Sequence, residues 1–89
     1  MEYTNILNLC EGGENTVFYY GDYIMVVGDA IGGFSASVYS FIETPEETGL
    51  PDEECRIELT EKSSEVYGEN GRAIEWCLET VRRLIKKTA

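Results

Sequence analysis

The stretch VVGDAIGGF, from Val26 to Phe34, has the composition most typical of a ligand-binding loop in this sequence. A glycine-rich loop can hold a phosphate through its backbone N–H groups when a helix begins directly after it. This stretch has neither the Gly-Lys-Ser/Thr ending of a P-loop nor the GxGxxG spacing of a dinucleotide fold, and Asp29 would repel a phosphate. Because a strand pattern follows it, we interpret the glycines as a hairpin turn and expect no bound cofactor.

Side chains suited to catalysis or to metal binding are scarce in the chain. Histidine, the usual general base and the commonest transition-metal ligand, is absent. Cys10, Cys55 and Cys77 are too few for a tetrahedral zinc site, form no CxxC pair, and have no base to activate a thiol. Their number and spacing favour reduced, buried thiols. The sequence therefore predicts a protein that is not an enzyme, with no catalytic residue, metal or cofactor.

Carboxylates are concentrated in one stretch, which contains no base. Two prolines and a glycine within Thr44 to Glu54 predict an exposed loop there. The stretch lacks the D-x-[DN]-x-[DN]-G calcium pattern with a glutamate at position twelve, so weak and nonspecific calcium binding is the most we expect. These side chains either form a solvated loop or contact a partner, and the candidates are Glu43, Glu46, Glu47, Asp52, Glu53 and Glu54.

The charge of the chain is strongly negative and unevenly distributed. Its 89 residues carry a formal net charge of -10, with 15 acidic and 2 basic residues in 1–71 but 2 acidic and 5 basic residues in 72–89. A surface field of this sign repels nucleic acid and anionic membranes. We therefore expect a basic or nucleic-acid-binding protein as partner. The absence of a signal-peptide pattern and of a run of about 20 apolar residues predicts a cytoplasmic location.

Residues 16–42 and 55–61 have the composition and alternation of β-strands. TVFYY and YIMVV are rich in β-branched and aromatic residues, and the Gly21-Asp22 pair between them predicts a short hairpin. FSASVYSFI and CRIELTE alternate between apolar and polar residues and predict two further strands. The first segment, Glu2 to Cys10, could be a strand or a short helix, and we favour a strand.

From about Asn70 the apolar residues follow the spacing of a helix. Asn70 is predicted to cap this helix, and basic residues complement the negative end of its dipole. An antiparallel β-meander followed by one amphipathic helix has one economical arrangement, with the helix across one sheet face. Residues 1–89 are thus expected to form a single small acidic α+β domain, a two-layer sandwich of about four strands and one helix. The inward stripe of the helix is predicted to be Ile74, Cys77, Leu78, Val81, Leu84, Ile85 and Thr88.

Both faces of the predicted hairpin are apolar, and one helix can cover only one of them. The side carrying Phe18, Met25, Phe34 and Val38 is expected to lie under the helix. The N-terminal segment, the long loop or a bend in the sheet could cover the other side. If none does, its exposed apolar area would mark a partner contact or a homodimer interface. The candidate residues on that side are Val17, Tyr19, Ile24, Val26 and Tyr39.

Trp76 is a further candidate contact residue. Helical projection places it nearly opposite the apolar stripe, beside Arg72 and Arg83, so we expect it to be at least partly exposed. Tryptophan is enriched at interface hot spots because a partner's pocket can desolvate its large ring. The alternatives are packing on the loop around Tyr67 and a cation–π pair with one of the two arginines.

Two classes of function lead at this point, while a third, a small-ligand binder, has only the glycine stretch and possible room between helix and sheet in its support. In size, acidity and lack of catalytic groups, the chain is similar to small phage-encoded inhibitors of host defence, such as anti-CRISPR and anti-restriction proteins. The leading hypothesis is a binding protein that blocks a nucleic-acid-handling protein by placing carboxylates where phosphates would bind. The alternative is a self-associating or adaptor module that uses the aromatic sheet face as its interface.

Overall fold

Four antiparallel strands follow one another across a single sheet in the computed structural model, which describes residues 4–13 and 15–88. The Gly21-Asp22 turn pairs Tyr20 with Tyr23 and places Gly21 at a φ of 60°, as a two-residue hairpin requires. The predicted meander is therefore confirmed. Its strands are β1 (Asn15–Tyr20), β2 (Tyr23–Ala30), β3 (Gly33–Phe41) and β4 (Ile57–Lys62).

The C-terminal helix, α3 (Asn70–Thr88), lies across β2 and β3 on one face of the sheet. Its buried residues Ala73, Cys77 and Val81 pack against β2 and β3 on the face predicted for it, which confirms the α+β arrangement. The buried side is rotated slightly from the predicted stripe, because Thr80 is buried while Ile85 is exposed. The Glu69 carbonyl accepts the Ala73 N–H, so the helix cap lies one residue before the predicted Asn70.

The N-terminal segment is helical, so the preference for a strand over Glu2 to Cys10 is wrong. Helix α1 (Ile6–Cys10) begins after Asn5, whose side chain accepts the Asn8 N–H at 2.8 Å. Only Thr4 pairs with a strand, through two backbone hydrogen bonds to Ile57, while residues 1–3 lie outside the described part. A five-residue helix depends on tertiary contacts for its stability. Ile6 and Leu9 provide them by packing on the sheet face opposite α3.

Short helical turns complete the structure. A 3₁₀ turn at Glu11–Gly13 follows α1, and the segment between β3 and β4 contains α2 (Pro45–Thr48) and a second 3₁₀ turn at Asp52–Glu54. The predicted loop is therefore exposed, as expected, but locally ordered. None of the helices in the described residues combines the length and the apolar composition that crossing a membrane requires.

The glycine-rich stretch forms the turn between β2 and β3, as predicted. Its last glycine, Gly33, lies against the backbone of Tyr67, which exchanges N–H···O bonds of 2.8 and 2.9 Å with Phe34. A Cβ atom at position 33 would overlap the Tyr67 carbonyl oxygen. Gly33 therefore allows the strand to approach the segment that leads into α3.

Gly33→Ala is expected to lower the free energy of unfolding by about 3 kcal/mol, because the overlap falls on backbone that cannot move without breaking both hydrogen bonds. Urea denaturation measures the change. Gly68→Ala is the control, since an added Cβ there meets nothing within 4 Å, and its effect should stay within about 0.5 kcal/mol. Equal small effects at both positions would contradict this role for Gly33.

Candidate functional site

The acidic stretch between β3 and β4 is built from two capped turns. Thr44 Oγ1 accepts the Glu47 N–H at 3.3 Å at the start of α2, and Gly49 ends this helix with a φ of 73°. Pro51 precedes the second turn. Both turns direct acidic side chains into solvent. We call the five exposed carboxylates the acidic surface: Glu46, Glu47, Asp52, Glu53 and Glu54.

A buried thiol holds the two turns together. Cys55 is fully buried, and its Sγ lies 3.5 Å from Thr48 Oγ1 and donates to the Pro51 carbonyl at 3.5 Å. Thr48 Oγ1 in turn accepts the Leu50 N–H at 3.2 Å. Because these bonds join α2 to the 3₁₀ turn, the acidic surface is held on an ordered backbone before any partner binds.

Glu43, the sixth acidic candidate, differs from the five carboxylates of the acidic surface because it is paired with an arginine. Its carboxylate accepts hydrogen bonds from the Arg56 side chain at 3.2 Å and from the Arg56 backbone N–H at 3.3 Å. These hydrogen bonds hold the pKa of Glu43 below its usual value. The prediction of Glu43 as a free contact residue is therefore less well supported than that of the other five.

The centre of the second sheet face is covered, so of the two alternatives left open above, the one in which Ile24 and Val26 lie open to a partner is wrong. Ile24 is 0% exposed and Val26 is 5% exposed. Ile6 of α1 belongs to the same buried cluster as both of them, which is the covering by the N-terminal segment left open above. Val17 and Tyr39 are half-buried at the margin of this cluster, and burial raises the pKa of Tyr39.

Tyr19 remains accessible and lies beside the acidic surface. Its side chain is 51% exposed. The pKa of its phenol is raised, first by partial burial and then by the negative charges of Asp52 and Glu53. The second 3₁₀ turn therefore lies close enough to β1 for these charges to act on Tyr19. Leu50, in the same acidic segment, is 42% exposed, so apolar and acidic side chains share this surface.

Trp76 lies on the other side of the molecule, on α3. It is half-buried and packs against the core beneath that helix, which agrees with its predicted partial exposure. Tyr67 and Trp76 together line two surface clefts, while the guanidinium groups of Arg72 and Arg83 lie beside Glu69 and Glu61. The second 3₁₀ turn contacts α1, on the sheet face opposite α3, so Trp76 and the carboxylates of that turn form two sites and not one.

The three cysteines divide into two buried thiols and one exposed thiol. Cys55 and Cys77 are buried, as predicted, whereas Cys10 is exposed because Ile6 and Leu9 occupy the buried side of α1. Burial raises the pKa of the Cys77 thiol to about 11, so this thiol stays protonated at neutral pH. Within the described ranges, no three Cys, Asp or Glu side chains come together as a group that could hold a metal ion.

One family model matches this chain. It describes nucleotide modification associated domain 4, Nmad4, and it matches residues 5–81. The chain belongs to the Nmad4 family. The match runs from the cap of α1 into α3, so the Nmad4 region includes all four strands, the acidic surface and Trp76. No curated protein and no solved structure gives a significant match.

Two residues of this Nmad4 domain were missed as site residues by sequence reasoning. Leu50 is the only apolar residue between Pro45 and Glu54 besides the prolines, and this isolation in a polar segment was the available signal. Tyr67 was expected only as a packing neighbour of Trp76 and not as a contact residue, and it gave no periodic signal because it lies in irregular chain before α3. Its place beside Trp76 follows from its pairing with Phe34, a contact between distant parts of the sequence.

Proposed function

We propose that this Nmad4 domain is a non-enzymatic protein that binds a basic, nucleic-acid-handling protein of a nucleotide-modification system and blocks its positively charged surface. The observation that carries the proposal is the acidic surface, five exposed carboxylates on a backbone that Cys55 and two turns hold in place. Tyr19 and Leu50 add apolar contact area beside them. Together they supply both electrostatic attraction and desolvated contacts.

The overall charge supports a basic partner. A net charge of -10 attracts a surface rich in lysine and arginine and accelerates the encounter with it. A channel that normally neutralises phosphates would release its counterions when carboxylates occupy it instead. The same field repels DNA and RNA. We therefore connect the family's association with nucleotide modification to a modifying or cleaving protein, and not to direct contact with nucleic acid.

The available side chains support binding in preference to catalysis. General acid–base catalysis and thiol nucleophiles need an accessible group whose pKa lies near the working pH. The chain has no histidine that could act as a base for the exposed Cys10 thiol, the Cys77 thiol is buried with a raised pKa, and the Cys55 thiol is bonded within the acidic segment. The domain would thus act by occupying its partner, as an inhibitor or anti-defence factor does.

Self-association through the second sheet face is the alternative function. It has less support than the sequence suggested, because Ile24 and Val26 would lie at the centre of that interface and are buried beneath α1. Light scattering of the purified protein distinguishes the two. A monomer of 10.0 kDa would remove the homodimer from consideration, whereas a stable dimer would favour it.

Affinity capture from the native host at two salt concentrations tests the proposed function. We expect a nucleic-acid-binding protein to be retained at about 50 mM salt and largely lost at about 200 mM, because the counterion-release rule, applied to the five carboxylates of the acidic surface, gives a loss of roughly 500-fold in affinity over this range. A complex that keeps its affinity at the higher salt would contradict the acidic surface as its binding site.

A further inference from the structure

Two clefts on the α3 side of the sheet share the rings of Tyr67 and Trp76. The first cleft has a volume of about 300 Å³, and its other lining residues are Arg72, Glu75 and Glu79. The second has a volume of about 350 Å³ and is otherwise lined by Lys62, Ser63, Ser64 and Glu65. The two rings thus form the shared wall of two polar clefts, and no residue of the acidic surface lines either cleft.

Both rings are fixed in position by neighbouring structure. The backbone of Tyr67 is bonded to that of Phe34, and its hydroxyl oxygen lies 3.2 Å from Ser63 Oγ. Trp76 is anchored by its packing against the core beneath α3. Each ring is half-buried and so still presents part of its surface to solvent. Rings held in this way lose little conformational freedom when a ligand stacks on them.

The first cleft also contains two carboxylates, and the basic residue that lines it, Arg72, is paired with Glu69 outside the cleft lining. Glu75 and Glu79 are exposed and lie one turn apart on α3, a spacing at which like charges repel. Among the described residues, neither glutamate forms an ion pair, since the guanidinium of Arg72 lies 4.0 Å from Glu69 and that of Arg83 is bonded to Glu61. A cation bound beside the rings would remove this repulsion.

We propose that the cleft formed by Tyr67, Trp76, Glu75 and Glu79 binds the guanidinium group of an arginine side chain. A guanidinium stacks flat on an aromatic ring while its N–H groups donate to carboxylates, so it uses both components of the cleft. The inference rests on the proposed function, because the arginine would come from the same basic partner.

The fluorescence of Trp76 gives a direct test, because it is the only tryptophan in the chain. The probe is a short acetylated and amidated peptide with one arginine, titrated at constant ionic strength, beside the same peptide with neutral citrulline. We expect a saturable change in fluorescence with the arginine peptide and an affinity at least about fivefold weaker with the citrulline peptide, corresponding to about 1 kcal/mol. Equal binding of the two peptides would overturn the proposal.

Paired substitutions locate the binding site of the probe. Glu75→Gln with Glu79→Gln is expected to weaken arginine-peptide binding about fivefold or more. The control, Glu46→Gln with Glu47→Gln, removes the same charge from α2 and should leave binding within twofold of the wild type, about 0.4 kcal/mol. Equal losses in both variants would indicate attraction by the overall charge and would overturn the cleft. Tighter binding of cytidine than of the arginine peptide would assign the rings to a nucleobase and would also overturn it.

The outcome separates this inference from the function on which it rests. If the arginine peptide fails to bind while the captured partner still binds in a salt-dependent manner, the cleft proposal is wrong and the proposed function stands. If the peptide binds the cleft but no basic partner is captured at low salt, the cleft proposal stands and the proposed function is wrong.

Discussion

Replacing Asp52, Glu53 and Glu54 by their amides is expected to weaken the complex with the basic partner about 100-fold. Each lost charge pair at contact distance is worth about 1 kcal/mol in a solvated interface, and about 3 kcal/mol corresponds to that change in Kd. The three side chains are exposed, and the 3₁₀ turn that carries them is closed by backbone bonds from Glu54 and Cys55. The fold should therefore persist, and titration calorimetry with the purified partner measures the loss.

A matched variant separates the acidic surface from the overall charge. Asp29→Asn, Glu58→Gln and Glu69→Gln also remove three negative charges, but all three positions lie outside the segment between β3 and β4. This variant is expected to lose less than about fivefold in affinity, because distant charges contribute mainly to the screened encounter. Losses of equal size in the two variants would show that charge alone, without the ordered segment, determines binding.

Ile24→Ala is expected to cost about 2–5 kcal/mol in the free energy of unfolding. The Ile24 side chain is fully buried on the sheet face that α1 covers, in one cluster with Ile6, Val26 and Ile57. Truncation removes apolar contacts and leaves a cavity that the hydrogen-bonded sheet cannot close. Urea denaturation followed by far-ultraviolet circular dichroism gives the change in free energy.

Tyr19→Ala is the companion variant, because Tyr19 is the β1 residue directly opposite Ile24. Because the ring is exposed, its removal should lower the free energy of unfolding by less than about 1.5 kcal/mol. Its loss should instead weaken partner binding, since the ring lies beside the acidic surface. If Ile24→Ala left stability unchanged and abolished binding, the second sheet face would be open and its burial beneath α1 would be wrong.

The meander and α3 could be predicted from the sequence because each has a strong local signal. Alternation in FSASVYSFI, the two-residue Gly21-Asp22 turn and the helical spacing after Asn70 all depend on neighbouring residues alone. Helix α1 could not be predicted in this way. Its five residues are too few for a periodic pattern, and its stability comes from contacts between Ile6 and distant strands.

The candidate site was predicted in its residue types but not in its arrangement. The acidic residues and Tyr19 were identified separately, and nothing local in the sequence indicates that Asp52 lies near Tyr19. That proximity depends on how Cys55 and Thr48 fold the segment before β4. The cleft at Trp76 likewise depends on Tyr67, which only the pairing with Phe34 brings to α3.

A competition experiment tests the central claim most directly. A fluorescent DNA duplex is bound to the purified partner, and the Nmad4 domain is added while the anisotropy of the duplex is followed. We expect the wild-type domain to displace the duplex completely, and the variant with Asp52, Glu53 and Glu54 neutralised to require about 100-fold more protein, as its weaker affinity dictates. A ternary complex, in which the partner holds the duplex and the domain together, would contradict the claim that the acidic surface occupies the site of the phosphates.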